Sequence, residues 1–454
     1  MDTHMVRSTP RSQFYTPGLE NLGERLQDKK LGLQESGGNF QPCPVSLSPW
    51  RLPRGTFMQA QAVASAVSLT FVRASKNPDF LKTCLSDFTD QSALLFHLKQ
   101  VLQNRSSVEA RNFNLSRQDF LLDTQLQWRL VESNSIAAGM GPLSEKLGEF
   151  QQEIAANSIE HPADNGAITR QARALYKAAM NNNGCIKPLI LFAVEADEDN
   201  VHDQSMLCLE LRRLGARISY KTLRQMKQQL FSQGKQLYLG QPSSPTLVDL
   251  IYYRTGYNLQ DYNDNKGNTL ELLNHRSWIE NHKVTVCPSI HYQIATSKWV
   301  QMKLSTMGKQ ALQTQFSLES QLAGRVARAL DTQFEIPNGE HHIRSRLKTG
   351  RWLLKSQNEG GGNVLDERAS HQQLAELGHQ SILMEKISTA PRSEPVAVLA
   401  NNNITEHTNI VSELGIFTLG EEHHYGGYLL RSKPQQQLES GVHRGGGFLD
   451  NIEH

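Results

Sequence analysis

The segment KSQNEGGGN, residues 355–363, brings together a lysine, a glutamate and three consecutive glycines directly after the apolar run Trp352–Leu354. Successive side chains of an extended segment alternate, so Lys355, Gln357 and Glu359 should face the same side. Without Cβ atoms, Gly360–Gly362 let backbone N–H groups approach a ligand closely. Phosphate oxygens suit the lysine and the N–H groups, whereas a magnesium ion that bridges phosphates suits the carboxylate. The segment therefore predicts a site for metal-bound triphosphate, although a flexible surface loop with a solvated ion pair explains it equally well.

Two common nucleotide-binding motifs are absent from the chain. Neither GxxxxGK[ST] nor GxGxxG occurs, which argues against an ordinary P-loop or Rossmann site. A second polar pattern, LVESNS at residues 130–135, places Glu132 and Asn134 two positions apart. On a strand both side chains project from one face, as a hard cation requires. Glu and Asn also alternate on many exposed strand surfaces, so this pattern by itself favours a structural explanation.

The overall composition limits the class of protein. A chain of 454 residues is long enough for two or three domains, because single hydrophobic cores rarely grow beyond roughly 250–300 residues. Its 47 Lys and Arg residues nearly balance 45 Asp and Glu residues, which leaves a formal charge of +2. This balance gives no electrostatic reason to expect nucleic acid or an acidic membrane as a partner. The predicted partners are small molecules or other protein chains.

Cysteine usage and the absence of targeting patterns indicate a cytoplasmic protein. The cysteines are scattered and never spaced as CxxC: Cys43, Cys84, Cys185, Cys208 and Cys287. This pattern argues against a disulfide framework and against a structural zinc site, and it fits a reducing compartment. No signal-peptide pattern occurs at the N-terminus, and no apolar run approaches the roughly 18 residues of a membrane helix. We therefore expect no membrane segment.

Local patterns divide the chain into four parts, of which the first two differ in periodicity. Residues 1–45 are polar without a sustained period and are predicted to form a loosely ordered N-terminal arm. Residues 46–186 contain apolar residues at helical spacing, as in Leu81, Leu85 and Phe88. This second part is predicted to be largely helical.

The other two parts indicate a mixed α/β fold. In residues 187–292, the apolar run Leu189–Val194 has the length of a strand that is buried on both faces. A helical segment and the strand-like sequence ARISY follow, which together predict a parallel α/β unit. Residues 293–454 combine a helical pattern with segments that are typical of sheet, around Leu354, Leu383 and Ile410.

Seven segments, in chain order, resemble the eukaryotic-type glutathione synthetases, a family of ATP-grasp enzymes. They are SRQDF (116–120), VESNS (131–135), YYRTGY (252–257), KSQNEGGGN (355–363), ILMEKI (382–387), SELGIF (412–417) and LLRSK (429–433). The resemblance runs from about residue 45 to the C-terminus. It implies an α/β (α+β) fold of ATP-grasp architecture. Residues 187–292 then form an inserted parallel α/β substrate-binding domain, and 293–454 carry the lid and the glycine-rich loops.

The resemblance implies that the cofactors are ATP and two Mg²⁺ ions. Glu132, Asn134 and Glu359 match the metal ligands, and their oxygen atoms suit a hard cation. Lys298 and Lys355 match the lysines on the nucleotide phosphates and, with Arg431, are the implied catalytic residues. The residues that match nucleotide contacts are Lys298, Lys355, Gly360, Gly361, Gly362, Asn363, Met384, Glu385, Lys386, Ile387, Glu413, Lys433 and Glu439.

The resemblance also implies the substrates, which are γ-glutamylcysteine, an acceptor amino acid such as glycine, and ATP. Arginine suits amino-acid substrates because its planar guanidinium pairs with a carboxylate through two parallel hydrogen bonds. The residues that match substrate contacts are Arg117, Ala137, Gly139, Asn200, Gln204, Arg254, Tyr257, Arg431, Val442 and His443. The family further implies a homodimer.

The implied reaction is an ATP-dependent ligation. ATP phosphorylates the free carboxylate of γ-glutamylcysteine, and the acceptor amine then displaces phosphate from the acyl phosphate to form an amide. The protein has to align the reactants, neutralise charge and exclude water.

The chain departs from the family pattern around the substrates. Ala137 and Gly139 stand where relatives commonly carry serines, and Asp366 replaces a tyrosine near the nucleotide. His443 and Arg444 replace two alanines of a glycine-rich loop. These departures keep two alternatives open. One is a ligase of the same chemistry with a different acceptor, for example β-alanine, and the other is a catalytically silent nucleotide-binding paralogue.

Overall fold

The computed structural model describes residues 21–35, 37–103, 109–155, 159–263, 269–359, 362–376, 381–442 and 446–454. Its helices are α1 (Leu22–Asp28), α2 (Arg54–Ser75), α3 (Pro78–Cys84), α4 (Leu94–Gln103), α5 (Gly141–Ile154), α6 (Ala167–Asn183), α7 (Val201–Arg213), α8 (Leu223–Gln229), α9 (Thr269–Ile279), α10 (Ile290–Ala295), α11 (Lys298–Ser305), α12 (Lys309–Phe316), α13 (Ser320–Ala329), α14 (Gly339–Leu347) and α15 (His371–Glu376).

The strands are β1 (Gly32–Gln34), β2 (Phe40–Pro42), β3 (Val45–Ser46), β4 (Trp50–Arg51), β5 (Arg111–Asn112), β6 (Leu115–Leu122), β7 (Trp128–Asn134), β8 (Leu189–Ala193), β9 (Arg217–Lys221), β10 (Leu230–Gln233), β11 (Gln236–Gln241), β12 (Ser244–Leu247), β13 (Leu250–Tyr253), β14 (Thr285–Cys287), β15 (Phe334–Glu335), β16 (Trp352–Lys355), β17 (Val364–Leu365), β18 (Ile382–Glu385), β19 (Val396–Ala400), β20 (Asn403–His407), β21 (Ile410–Leu419), β22 (His424–Pro434), β23 (Phe448–Asp450) and β24 (Ile452–Glu453).

The largest sheet of the described residues, which we call the central sheet, has eight strands in the order β20–β19–β3–β23–β22–β21–β6–β7. Its neighbouring strands are antiparallel except β3 and β23, which are parallel. The strands come from both ends of the chain, so this sheet can form only after segments that are distant in sequence have met. Helix α2 packs against β6, β21 and β22. Its buried Ala60 and Ala64 carry small side chains, which allow the helix to lie close to its neighbours.

A five-stranded sheet, the parallel sheet, has the order β5–β14–β13–β8–β9, and each neighbouring pair is parallel. All five residues of β8 are buried, which confirms the prediction for the apolar run at 189–194. Leu191 packs into one hydrophobic cluster, whereas Ile190 and Phe192 pack into another. Because successive side chains of a strand point to opposite faces, β8 divides the interior into two cores.

A four-stranded antiparallel sheet, the outer sheet, has the order β15–β18–β16–β17. Helix α14 packs against β16. The buried residues of this region form a small cluster of their own: Leu347, Trp352, Leu354, Leu365, Leu374 and Leu383. The predicted sheet segments around Leu354, Leu383 and Ile410 thus lie in β16, β18 and β21. The mixed α/β architecture predicted from the sequence is confirmed.

The prediction of a loosely ordered arm over residues 1–45 is wrong for the described residues between 21 and 45. Helix α1 buries Leu22 and Leu26, and β1 pairs with β2. The N–H of Gln34 donates to the carbonyl of Asp199 at 2.8 Å, which ties this segment to the loop before α7. These elements have two to seven residues and are too short to show a sequence period. Residues 1–20 lie outside the described part of the chain.

Strands from different predicted domains pair with one another, so the structure does not test the predicted domain boundaries. The central sheet takes strands from 46–186 and from 293–454, and β5 adds residues before 187 to the parallel sheet. The boundaries at 46, 187 and 293 therefore stay a prediction. Although α2 has 22 residues, no helix within the described ranges is both long and apolar enough to span a membrane.

Two glycines with positive φ provide a matched test of packing around α6. Gly427 has φ +96°, and a Cβ there would lie 2.6 Å from the Cβ and 2.8 Å from the Cα of Ala167. Gly184 has φ +72°, and a Cβ there would meet no atom within 4 Å. We expect Gly184→Ala to cost about 1–2 kcal/mol from backbone strain alone. Gly427→Ala should cost about 1–3 kcal/mol more, because Ala167 would have to move. Urea unfolding measures both values, and equal losses would contradict this packing.

Candidate active site

A cavity of about 1080 Å³ is lined by the central sheet, the outer sheet and loops that follow β7, β8 and β13. Most described residues that were predicted as site residues line this cavity. They are Arg117, Glu132, Asn134, Ala137, Gly139, Asn200, Arg254, Tyr257, Lys298, Lys355, Glu359, Asn363, Met384, Glu385, Lys386, Ile387, Glu413, Arg431, Lys433 and Glu439.

The remaining predicted site residues lie elsewhere or cannot be placed. Gln204 is buried one helical turn beyond Asn200, and it does not line the cavity. Val442 packs into a hydrophobic cluster, and Gly362 is exposed. The predicted sites Gly360, Gly361 and His443, together with Arg444, lie outside the described residues.

Two lysines meet carboxylates at one end of the cavity. Lys298 is the first residue of α11, and its Nζ lies 2.9 Å from Oε2 of Glu359. Lys355 ends β16, and its Nζ lies 3.4 Å from the carbonyl of Val131. Burial lowers the pKa of Lys355, which the nearby Glu132 only partly offsets. For Lys298, burial acts in the same direction, but the adjacent Glu359 and Glu132 prevail and raise its pKa.

The predicted metal ligands form a set of hard oxygen donors. Burial acts against ionisation of Glu132, but Lys298 and Lys355 prevail and hold its pKa at about 2. For Glu359, burial outweighs the effect of the lysines and raises the pKa. The Asn134 Nδ2 donates to Glu132 Oε1 at 3.3 Å. No three His, Cys, Asp or Glu side chains converge on a metal position in the described ranges. Two carboxylates with one amide oxygen nevertheless suit Mg²⁺, which keeps water and phosphate among its ligands.

Backbone N–H groups after the glycines already hold an anion. The Glu439 carboxylate accepts from the N–H of Gly362 at 2.5 Å and from the N–H of Asn363 at 3.2 Å. The Asn363 Nδ2 donates to the carbonyl of Glu359 at 3.1 Å. The loop therefore presents N–H groups in an arrangement that binds oxygen anions, as a nucleotide phosphate would require.

The segment Met384–Ile387 also lines the cavity. Met384 is buried, and the N–H of Lys386 donates to the carbonyl of Arg351 at 2.7 Å. The charged side chains are paired on the surface: Arg351 with Glu385 at 2.6 Å, and Lys386 with Glu367 at 2.8 Å. This pairing keeps the strand backbone in place beside the cavity.

Arg117 and Arg431 line the cavity and share one buried carboxylate behind its wall. Arg117 donates from Nε and Nη2 to the two oxygens of Asp119, at 2.6 and 2.7 Å. Nη2 of Arg431 lies 3.1 Å from Asp119 Oδ2 and also contacts Glu413. The two guanidinium groups are therefore held side by side, where they could receive an anionic substrate.

A second arginine site lies at the end of the parallel sheet. Arg254 donates from Nη1 to the carbonyl of Ala138 at 3.2 Å, and its Nη2 lies 3.8 Å from Asp203 Oδ2. A Cβ at Gly139 would lie 2.7 Å from Arg254 Nη2 and 2.9 Å from Asn200 Nδ2. The absence of a side chain at Gly139 thus permits this close approach. Arg254 Nε and Asn200 Oδ1 are buried without a hydrogen-bond partner, as expected for groups that await a ligand.

Comparison with known proteins decides the family of the chain. A family model described as eukaryotic glutathione synthase, ATP binding domain, matches residues 25–453. The chain belongs to the eukaryotic glutathione synthase family. Membership of this family makes it an ATP-dependent ligase.

Relatives within the glutathione synthase family share modest identity over most of the chain. The identity is 28% to the chloroplastic glutathione synthetase of Solanum lycopersicum, over 92% of this chain and 78% of that one. It is 25% to the glutathione synthetase large chain of Schizosaccharomyces pombe, over 97% of this chain and 98% of that one. A solved structure of a glutathione synthetase-like effector from Globodera pallida, in its apo form, aligns with a TM-score of 0.68. That alignment covers 96% of both chains at 16% identity and shows the shared fold.

One departure of this glutathione synthase family member from the family pattern is the acidic residue Asp366, whose charge is neutralised by a neighbouring arginine. Asp366 lines the cavity beside the Met384–Ile387 segment, and its carboxylate lies 2.8 Å from Arg368 Nη2. Burial opposes ionisation, but Arg368 prevails and lowers the pKa of Asp366. The carboxylate is thus neutralised within its own loop, so the substitution adds no unpaired charge to the cavity.

Sequence reasoning missed two carboxylates at the substrate end of this family member. Asp119 lies within the SRQDF segment, two residues after Arg117, and a period of two would have placed both on the same face of a strand. Asp203, which faces Arg254, lies in the first turn of α7. Its only sequence signal is the spacing of three residues from Asn200, which is typical of one face of a helix.

The acidic group beside the Arg254 loop predicts a pH-dependent stability. Burial, together with Asp261 and Glu198, raises the pKa of Glu195 to about 7 from its usual 4.5. The folded state therefore keeps a proton that the unfolded state has already released between these values. The stability contributed by this group is complete below pH 4.5 and is lost as the pH rises through about 7. We expect Glu195→Gln to stabilise the protein at pH about 8 and to change little at pH about 5.

Urea unfolding of the parent and Glu195→Gln at both pH values measures this difference. Thr255 Oγ1 donates to the carboxylate of Glu195, and the Gln side chain keeps an oxygen for that bond. Glu376→Gln, at an exposed position, serves as the control and should shift stability equally at both pH values. A gain from Glu195→Gln that does not depend on pH would contradict the prediction.

Proposed function

We propose that this chain synthesises glutathione by joining γ-glutamylcysteine to glycine, with cleavage of ATP to ADP and phosphate. The observation that supports the proposal most strongly is the meeting of two kinds of group in one cavity. Lys298, Lys355, Glu132 and Glu359 suit a metal-bound phosphate, and Arg117 lies in the same cavity to receive a carboxylate. The curated relatives that carry the name glutathione synthetase support the same reaction.

Different residues of the cavity have different roles in the proposed ligation. Arg117 and Arg431 orient the donor carboxylate, so that its oxygen can attack the terminal phosphorus of ATP. Lys298 and Lys355 neutralise charge on the transferred phosphoryl group. The acceptor amine then attacks the carbonyl carbon of the acyl phosphate, releases phosphate and loses a proton as the amide forms. Magnesium, when bound at Glu132, Asn134 and Glu359, supplies further charge neutralisation.

Phosphate release by the purified protein tests the reaction. We expect ATP turnover to require γ-glutamylcysteine, and mass spectrometry to find glutathione when glycine is the acceptor. A panel of glycine, β-alanine, serine and glutamate defines the acceptor. ATP turnover without any dependence on γ-glutamylcysteine would overturn the proposal, and a strong preference for another acceptor would correct its second substrate.

Three associated properties are part of the same proposal. The donor set at Glu132, Asn134 and Glu359 predicts that turnover requires Mg²⁺ and stops with a chelator. The homodimer and the cytoplasmic location follow from the family resemblance and the cysteine pattern. Sedimentation at micromolar concentration tests the dimer, because a single species with the mass of one chain would contradict it.

A further inference from the structure

A buried side chain that does not line the cavity contacts several residues that do. Asp119 is fully buried in the middle of β6, between β21 and β7. Its Cα neighbours across the sheet are Gly415 on one side and Glu132 on the other. A Cβ at Gly415 would lie 2.5 Å from Asp119 Oδ1, so the glycine leaves the space that the carboxylate occupies.

Four hydrogen-bond donors converge on this carboxylate. Arg117 supplies two of them, from Nε at 2.6 Å and from Nη2 at 2.7 Å. Asn134 Nδ2 donates at 2.9 Å, and Arg431 Nη2 donates at 3.1 Å. Three of these donors reach Oδ2 and one reaches Oδ1, so protein groups hold both oxygens. Asp119 is therefore engaged with protein groups and acts on ligands only through them.

The contact with Asn134 decides which atom of that amide faces the metal position. A side-chain amide carries NH₂ on one side and oxygen on the other. Because Nδ2 donates to Asp119 at 2.9 Å, the oxygen Oδ1 is turned away from that carboxylate. The longer contact of Nδ2 with Glu132 Oε1, at 3.3 Å, would give way when Glu132 binds a cation. Without the acceptor at Asp119, the amide is free to rotate and to present NH₂ to a cation, which repels it.

We propose that Asp119 is a positioning residue that orients Arg117 and Arg431 for the donor carboxylate and Asn134 for the metal. One buried anion thereby aligns the groups of the substrate end and the metal end of the cavity. The donor part of this inference rests on the proposed function, whereas the metal part does not require turnover.

Direct binding measurements on Asp119→Asn test the proposal. The substitution keeps the size of the side chain but replaces an acceptor oxygen by a donor. We expect the Kd for Mn²⁺, measured by electron paramagnetic resonance with a non-hydrolysable ATP analogue, to rise about tenfold or more. The Kd for γ-glutamylcysteine, measured by calorimetry, should rise by a similar factor. The affinity for the analogue without metal should stay within about twofold, because Met384–Ile387 is untouched.

Two further variants separate positioning from a general loss of structure. Asp450→Asn removes a carboxylate from another buried pair of the central sheet, with Arg392 at 2.6 Å, and does not touch the cavity. It should lower stability and leave both Kd values unchanged. In the exchange variant Asp119→Asn with Asn134→Asp, the hydrogen bond between the two positions is kept with donor and acceptor reversed. This exchange should recover most of the lost Mn²⁺ affinity and little of the lost γ-glutamylcysteine affinity.

The inference can still be tested if Asp119→Asn does not fold, or if the protein does not carry out the proposed reaction. Gly415→Ala changes no charge and places a methyl group 2.5 Å from Asp119 Oδ1, but also 2.7 Å from Arg117 Cδ. Its γ-glutamylcysteine affinity therefore reports on Arg117 as well, whereas a weaker Mn²⁺ affinity is expected through Asp119 and Asn134. A parent that binds Mn²⁺ with the analogue but not γ-glutamylcysteine would refute the donor, and the Mn²⁺ measurements would still decide the role of Asp119. Unchanged Mn²⁺ affinity in folded Asp119→Asn and in Gly415→Ala, or equal losses in Asp450→Asn, would overturn the inference.

Discussion

Replacing Lys298 by methionine lowers the rate of ATP-dependent ligation by about 10²–10³-fold, the loss that follows removal of one preorganised donor from a developing charge. The methionine keeps most of the length of the side chain and removes its charge. In the parent, Nζ lies in the cavity, 2.9 Å from Glu359 Oε2. Its removal takes away the proposed phosphate contact and leaves the partly buried Glu359 carboxylate without its nearest cation. Phosphate release at saturating ATP measures the effect.

A second lysine of the same helix provides the control. Lys303 lies five positions further along α11 and pairs with Asp87 at 2.8 Å on the surface. Lys303→Met loses an exposed ion pair, worth about 1 kcal/mol at most, and the contact of Nζ with the Trp299 ring at 5.3 Å. Neither residue lines the cavity, so the variant should turn over within about twofold of the parent. If Lys298→Met kept the parent rate while its circular dichroism was unchanged, Lys298 would have no role at the phosphates.

Replacing Asp450 by alanine lowers the free energy of unfolding by about 3–5 kcal/mol, as expected when one partner of a buried ion pair is removed. Asp450 is fully buried in β23, and its Oδ2 accepts from Arg392 and from Ser432, each at 2.6 Å. Ser46 of β3 donates to Oδ1 at 2.7 Å. The substitution leaves the Arg392 guanidinium in the interior without its carboxylate. The hydrogen bond with Ser46 also joins strands from both ends of the chain.

Urea unfolding of Asp450→Ala and Glu421→Ala makes the comparison. Glu421 pairs with Lys76 at 2.7 Å, but both side chains are more than half exposed. Its removal should cost less than about 1 kcal/mol, because water screens an exposed pair. Equal losses for the two variants would show that the buried pair contributes no more than a surface one.

Local sequence patterns were sufficient where one short segment decides the structure. The apolar run at 189–194 predicted a buried strand because both faces of β8 pack against apolar cores. Lys355, Gln357 and Glu359 line the same cavity, as their spacing predicts, although the strand itself ends at Lys355.

The features that sequence reasoning missed depend on contacts between distant segments. The two-residue strand β3 exists because β19 and β23 pair with it, and no period can appear over two residues. Asp119 is one of four consecutive polar residues in β6 and has no distinguishing sequence signal. Its importance appears only when Arg431, 312 positions away in the chain, reaches the same carboxylate. Gln204 has the spacing of a site residue but lies behind the cavity, since the direction of α7 is set by its packing.

The small cluster of the outer sheet has a consequence for hydrogen exchange. Its six buried residues are separate from the two large cores that hold the central and parallel sheets. A region with little buried apolar surface of its own opens at a lower free energy than the molecule as a whole. We therefore expect amide hydrogens of β16 and β18 to exchange with solvent through local opening, well before those of β6 and β21. In the proposed site the nucleotide contacts β18 and the central sheet, so its binding should then slow exchange in the outer sheet selectively.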